Sequence, residues 1–393
     1  MTAIILLALN LRPAMAALGP ILDPIVGTTG LNSGGVGMLT TVPVFLMGLG
    51  ALGGRTVRDM LGQKAGISLG IALIAGATAS RLLLDGAAGM IASAAAAGLG
   101  IALGQALVPG VIKAEFGPAT GRVMGLYTTG IMGGAAIAAA SAADLAGHLG
   151  WQGTLALWSL PAFAALALWG KAAPGASMAS ESVPLAAPSG RAGFWRNRRA
   201  WALMLFFGVG TGAYTLVLAW LPPFYVSLGR DAATGGYLLA GLTLTEVLAG
   251  LAVSALASRF PDRRAPLLLV LTSLLAGLAC LIEAPLTLAL PAIVLLGLGI
   301  GSLFPLSLIL TLDHVDEPKR AGDLAAFVQG GGYLIASLMP FLAGWIKDSA
   351  RDLTGAWILM AAGVLLLIVM AAGFSPASYS RITASRTSAG RVR

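Results

Sequence analysis

Apolar residues in this chain run in blocks of about twenty, and short segments bearing Gly, Pro, Asp, Arg and Lys separate them. At about 1.5 Å per residue, a helical block of that length crosses the ~30 Å hydrocarbon core of a bilayer. The blocks predict spans over residues 2–22, 35–54, 65–84, 88–110, 121–143, 152–170, 200–221, 235–256, 265–282, 286–310, 322–344 and 353–373. The fold class is an all-α membrane protein with twelve transmembrane helices.

One connection is much longer than the rest. Residues 171–199 hold Pro174, Gly175, Ser177, Pro184, Pro188 and Ser189 and end in Arg196, Arg198 and Arg199. This composition predicts a flexible linker with a basic end. It divides the chain into a six-helix bundle over 1–170 and another over 200–373, with a tail over 374–393.

The halves share a pattern. Gly98-Leu99-Gly100-Ile101 in span 4 matches Gly297-Leu298-Gly299-Ile300 in span 10. Each is followed by a proline, Pro109 or Pro305, then a polar loop and a span rich in small residues. The basic loop Arg55-Thr56-Val57-Arg58-Asp59 has a counterpart in Arg259-Phe260-Pro261-Asp262-Arg263-Arg264. A parallel repeat of this kind places a binding site at the midplane between pseudo-symmetric halves. Pairs such as Gly130/Gly134 and Gly100/Gly104 predict close helix packing. Smooth faces in spans 5 and 11 that let the halves rock are the functional alternative to static packing.

Composition agrees with the blocks. Hydrophobic residues are 57% and charged residues 10% of the chain, against roughly 25% charged in soluble domains. The net charge of +8 does not point to nucleic acid, because the basic residues fall in short loops. Nineteen of the 24 Lys and Arg lie on the side of the C-terminus and four (Arg81, Arg230, Lys347, Arg351) on the other; Arg12 is left over. By the positive-inside bias both termini are cytoplasmic. The single Cys280 excludes an intrachain disulfide. No cleavable signal peptide is expected, since Asn10-Leu11-Arg12-Pro13 interrupts the first apolar block.

Arg12 is the exceptional charge. A guanidinium near the bilayer centre costs at least ~2.5–3.5 kcal/mol on insertion scales, and such residues usually mark a ligand or ion pathway. Its planar fork suits carboxylate-like anions; a structural ion pair or a bond to a broken-helix carbonyl is the alternative. Asn10 is placed to orient Arg12 or touch ligand. Glu246, well inside span 8, is the proton-coupling candidate, set against a permanent Arg–Glu pair. Tyr127, Gln105, Gln329, Tyr333 and Tyr214 are polar groups within spans, each needing a hydrogen-bond partner in lipid. Lys113 ends span 4, at a cavity mouth or snorkelling to the interface. Trp151, Trp220 and Trp357 are expected at the membrane interface, with Trp220 also a candidate cavity residue. His148 and His314 are the only histidines and fall in loops. Neither a metal-ligand cluster nor a nucleotide-binding fingerprint is present. No cofactor or metal is expected, and the chain is not read as an enzyme.

These motifs resemble those of a transporter family. Asn10-Leu11-Arg12-Pro13 with Gly19-Pro20, Pro109-Gly110-Val111-Ile112-Lys113 with Phe116, and Gly125-Leu126-Tyr127-Thr128-Thr129 carry the resemblance in the first half. Phe304-Pro305-Leu306 and Gln329-Gly330-Gly331-Gly332-Tyr333 carry it in the second. Together they are similar to the cyanate-permease and 2-nitroimidazole-transporter branch of the major facilitator superfamily. Asp59, Gly62 and Lys64 fit that superfamily's loop motif, whereas Met60, Gln105 and His314 depart from the family pattern. The resemblance implies a secondary transporter in the bacterial inner membrane, working by alternating access on small anionic or compact heteroaromatic solutes. It implies that spans 1, 4, 5, 7, 10 and 11 face the cavity, and that Arg55, Arg58 and Asp59 latch the cytoplasmic face. The expected partners are a small-molecule substrate, lipid and protons, with the chain a monomer. A broad drug-efflux carrier, a non-transporting sensor and a membrane-embedded enzyme are the rival readings; the last lacks convergent catalytic groups.

Overall fold

The computed structural model describes residues 1–116, 119–172, 194–315, 317–377 and Tyr379. Most of the expected linker (173–193) and most of the tail lie outside the described residues, as do the side chains of Arg55 and Lys319. Among the described residues all regular structure is helical. Eleven stretches there are long and apolar enough to cross a membrane. The longest, Arg122–Lys171, is broken at Gly150 (φ 69°, ψ 168°) and counts as two. Span 1 is Thr2–Thr29, span 2 Ser33–Leu61, span 3 Gln63–Leu83 and span 4 Ala87–Phe116. Spans 5 and 6 occupy Thr120–Leu157 and Ser159–Ala172, divided at Gly150. Spans 7 to 12 are Arg198–Ser227, Ala232–Leu256, Arg264–Glu283, Ala289–Leu312, Pro318–Ala350 and Thr354–Ala372.

Several helices outrun their apolar blocks. Span 2 continues through Arg58 and Asp59, because no breaker intervenes before Gly62, where φ is 70°. The residues expected in a loop therefore ride the last helical turns. Arg58 pairs there with its own neighbour Asp59 at 3.4 Å, both side chains exposed, so this pair spans no interface. Side-chain caps fix other starts: Asn32 accepts from the Gly35 amide, Asn197 from Arg199 and Ala200, and Asp231 from Thr234.

Span 1 is the irregular one. It is helical over Thr2–Asn10, breaks, resumes over Pro13–Ala16, tightens to a 3-10 turn at Gly19–Ile21 and ends as Leu22–Thr29. Pro13 has no amide hydrogen and disfavours helical geometry in the residue before it. Arg12 nevertheless keeps a helical ψ (φ −117°, ψ −24°) and caps the new turn, its carbonyl accepting from the Met15 and Ala16 amides.

Glycines seat the helices in the same way in both halves. A Cβ on Gly98 would strike Pro43 of span 2, and one on Gly100 would strike Gly70 and Ile74 of span 3. In the second half Gly297 meets Leu242 and Thr245 of span 8, and Gly299 meets Leu274 of span 9. Gly130 and Gly134 press on Ala8 and Leu9 of span 1, so they pack within the first half. The close glycine contacts between halves lie elsewhere. Gly37 abuts Pro340, Gly344 abuts Ser33 and Gly48 abuts Gly330, all between spans 2 and 11. Gly236 of span 8 abuts Ala139 and Pro20.

The tryptophans also depart from expectation. Trp151, Trp220 and Trp357 are buried, packed by neighbouring helices rather than set in a lipid-facing belt, while Trp195, Trp201 and Trp345 are exposed. Trp357, for example, lies against Phe224 with ring centroids 5.4 Å apart.

Candidate functional site

A cavity of about 470 Å³ lies where the two halves meet. The first half contributes Arg12, Gln105 and Tyr127 to its wall, and the second contributes Tyr214, Glu246, Gln329 and Tyr333. The rest of the wall is mostly apolar, with Val44, Met47, Met124, Met132, Phe207, Ile300, Leu303 and Phe304. Glu246 to Ser254, Phe304 to Leu308 and Pro109 lie in the late turns of their spans, and Met124 to Met132 in the early turns of span 5. The cavity thus occupies the side of the molecule on which span 1 begins and span 12 ends.

The opposite side is closed. Gly19 of span 1 lies against Pro222 of span 7. The Asp348 carboxylate accepts from the Ser33 and Gly34 amides at 3.2 and 3.1 Å, joining span 11 to the start of span 2. The Tyr237 hydroxyl donates to Asp144 at 2.9 Å, joining span 8 to span 5.

Arg12 reaches this cavity because the span 1 break lifts it out of a regular helix. It is 6% exposed, and its guanidinium carbon stands 5.0 Å from the centroid of the Tyr214 ring. Its Nε has no hydrogen-bond partner. Both Glu246 oxygens are also buried and unpartnered, so no ion pair joins the two residues. The Tyr127 and Tyr214 hydroxyls are in the same position. Buried polar groups nearly always find a partner, and an unmade bond costs about 1–3 kcal/mol. Four such side chains turned on one cavity are set up for a polar solute or ordered water. The Tyr333 ring packs edge-on against Phe207 at 5.5 Å, which leaves an aromatic wall beside the polar groups.

Three sequence candidates stand apart from the cavity wall. Asn10 is buried, and its Nδ2 donates to the Leu6 carbonyl one turn back at 2.7 Å. Trp220 is fully buried, its indole N–H bonded to the Pro340 carbonyl at 2.9 Å with the Lys347 ammonium 5.2 Å from its ring. Lys113 is exposed on the last turn of span 4. Sequence reasoning missed the methionine and phenylalanine wall, because an apolar side chain in an apolar span carries no signal. It also counted Arg81 with the outer loop charges, although the predicted span 65–84 contains it. Arg81 is 1% exposed, at the head of a 3-10 turn that continues span 3. The signal was the lack of a helix breaker between Ser80 and Gly86.

Comparisons with known proteins agree with this architecture. The sequence model of the Major Facilitator Superfamily matches residues 4–340. The cyanate transport protein CynX of Escherichia coli strain K12 is 35% identical over 380 residues, covering 96% of this chain and 98% of that protein. The 2-nitroimidazole transporter of the same strain is 29% identical over 372 residues, covering 94% and 93%. Among solved structures, the nucleoside transporter NupG superposes with a TM-score of 0.77 at 12% identity, covering 95% of this chain and 99% of that one.

Proposed function

This chain belongs to the Major Facilitator Superfamily, and from that premise we propose that it carries a small anionic or compact polar organic solute across the bacterial inner membrane. The observation that carries this reading is the unpaired guanidinium of Arg12 in a cavity shared with the unpartnered Tyr127 hydroxyl. An anion there gains charge-assisted hydrogen bonds that the protein leaves unmade. Two relatives are named for cyanate transport and for 2-nitroimidazole transport, and both solutes belong to this chemical range. Gln105, Gln329 and Tyr333 add to the polar lining.

Transport proceeds by alternating access, with bundles 1–170 and 200–373 rocking about the cavity as a monomer. Both termini are cytoplasmic, which makes the present arrangement inward-facing. Glu246 carries the coupling proton. Its carboxyl shares the cavity with Arg12 yet is bound to nothing, so solute and proton can each claim one member of the pair. The apolar wall favours a second reading, efflux of bulkier drugs, which would depend little on Arg12.

A thermal-shift panel of cyanate, other small anions and azoles on wild type and Arg12→Ala decides between them. Stabilisation by anions that disappears in the variant supports the anion carrier. Identical responses in the two proteins reject it.

A further inference from the structure

Arg81 is a second buried guanidinium, and the transport reading leaves it without a task. No span 3 residue lines the cavity, and among the described residues no acidic side chain pairs with Arg81. Its Nη1 donates to the Ala14 carbonyl at 2.9 Å, and its Nε donates to the Ser93 hydroxyl at 3.1 Å. Ser93 in turn donates to the Met90 carbonyl.

Ala14 belongs to the short turn Pro13–Ala16 that follows Arg12. In an unbroken helix the Leu18 amide would bond the Ala14 carbonyl. Here the Leu18 amide turns to Met15 at 3.3 Å, and the Ala17 amide to Pro13 at 3.1 Å. The break therefore frees the Ala14 carbonyl inside the membrane, where water cannot serve it. Arg81 supplies the missing donor.

The apolar contacts below this bond have the same register. Ala14 packs with Ala77 and Ala97 in a small cluster of its own. Ala77 lies one turn before Arg81 on span 3, and Ala97 one turn after Ser93 on span 4, so each pair shares a helix face. The turn after Arg12 thus rests on two methyl groups and is tied down by one guanidinium.

We propose that Arg81 is a positioning residue: it clamps the Pro13–Ala16 turn to spans 3 and 4 and so aims Arg12 into the cavity. The proposal rests on the reading of Arg12 as the anion contact, but the clamp has a signature that needs no solute. Losing a hydrogen bond from a charged donor corresponds to a roughly 10- to 100-fold change in the local equilibrium.

The test uses the full-length chain in lipid nanodiscs, with Arg81→Gln, Arg81→Lys and Arg12→Ala. Amide hydrogen exchange of peptides covering residues 11–22 reports the clamp, and cyanate affinity reports the aim of Arg12. Arg81→Gln is expected to speed exchange in that stretch by about 10-fold or more and to weaken cyanate binding by a similar factor. Arg81→Lys, which keeps a donor for the Ala14 carbonyl, is expected to recover most of both. Unchanged exchange in folded Arg81→Gln overturns the clamp. Faster exchange with unchanged cyanate affinity, where Arg12→Ala does lose affinity, overturns the positioning role. If Arg12→Ala loses no affinity, the anion-site reading has failed, while faster exchange restored by Arg81→Lys still supports the clamp.

Discussion

The Arg12 guanidinium sits over the Tyr214 ring, 5.0 Å from its centroid, and joins spans 1 and 7 across the cavity without an ion pair. A ring face holds a cation while leaving its N–H groups to a solute, which a carboxylate at the same place would not. Desolvated contacts of this kind are worth about 0.5–2 kcal/mol. Tyr214→Phe keeps the ring and should leave anion affinity within about threefold of wild type. Tyr214→Leu removes it and should weaken anion binding by roughly 2- to 30-fold. Titration of cyanate by isothermal calorimetry separates the two. Equal losses in both variants would assign the effect to the hydroxyl instead.

Glu246 lies in span 8 at a tight crossing, since a Cβ on Gly301 would strike its Cα. Both its oxygens are unpartnered, and a carboxyl so placed is suited to picking up and releasing a proton as the cavity changes sides. Glu246→Gln keeps the shape and removes that chemistry. In proteoliposomes with an imposed pH gradient, wild type should concentrate solute, and the variant should only equilibrate it, to a ratio of about one. A variant that still concentrates solute rules the coupling role out.

Contacts between spans 2 and 11 lie on the closed side, opposite the start of span 1 and the end of span 12. Asp348 caps the first turn of span 2 through two amides, and a cap is worth about 0.5–2 kcal/mol. Asp348→Ala should shift the equilibrium toward opening on that side by roughly 2- to 30-fold. Gly37→Val should act in the same direction, because its side chain would collide with the Pro340 carbonyl. A cysteine introduced at buried Thr40, with Cys280→Ser, would then react faster with an impermeant maleimide. Equal rates in all proteins would show that these contacts do not hold that side shut.

The repeat was legible because both copies of Gly-Leu-Gly-Ile serve the same packing task. Gly98 and Gly100 seat span 4 on spans 2 and 3, and Gly297 and Gly299 seat span 10 on spans 8 and 9. Arg12 and Glu246 were legible because charge in hydrocarbon stands out from its surroundings. The cavity wall was not, since Met124 or Phe304 looks like any lipid-facing residue until neighbouring helices are placed. Arg81 was misread for a related reason: counting charge by loop assumes that a charge near the end of a span belongs to the loop. The ends of spans 2 and 11 break the same assumption, carrying Asp59 and Lys347 on helix.

His314 offers a pH test outside the membrane spans. Just past the end of span 10, it is buried, with Nδ1 2.6 Å from the Leu310 carbonyl and Nε2 accepting from Arg199 Nε at 3.1 Å. Its ring lies 4.3 Å from that of Tyr379, and neighbouring Asp313 is paired with Arg263. Burial pushes the imidazole down to about 4, against the pull of the Leu310 bond and with the help of the Arg199 charge. Protonating Nε2 would set one donor against another. The unfolded chain takes up this proton near pH 6.5, so between about 6.5 and 4 it binds more protons than the folded one. The stabilisation is therefore complete above pH 6.5 and fades as pH falls toward 4. His314→Gln retains an acceptor for Arg199 and removes the titration. Its melting temperature should fall less steeply than that of wild type across this window, by the linkage of about one proton. Parallel slopes would mean that His314 is not what makes the fold acid-sensitive.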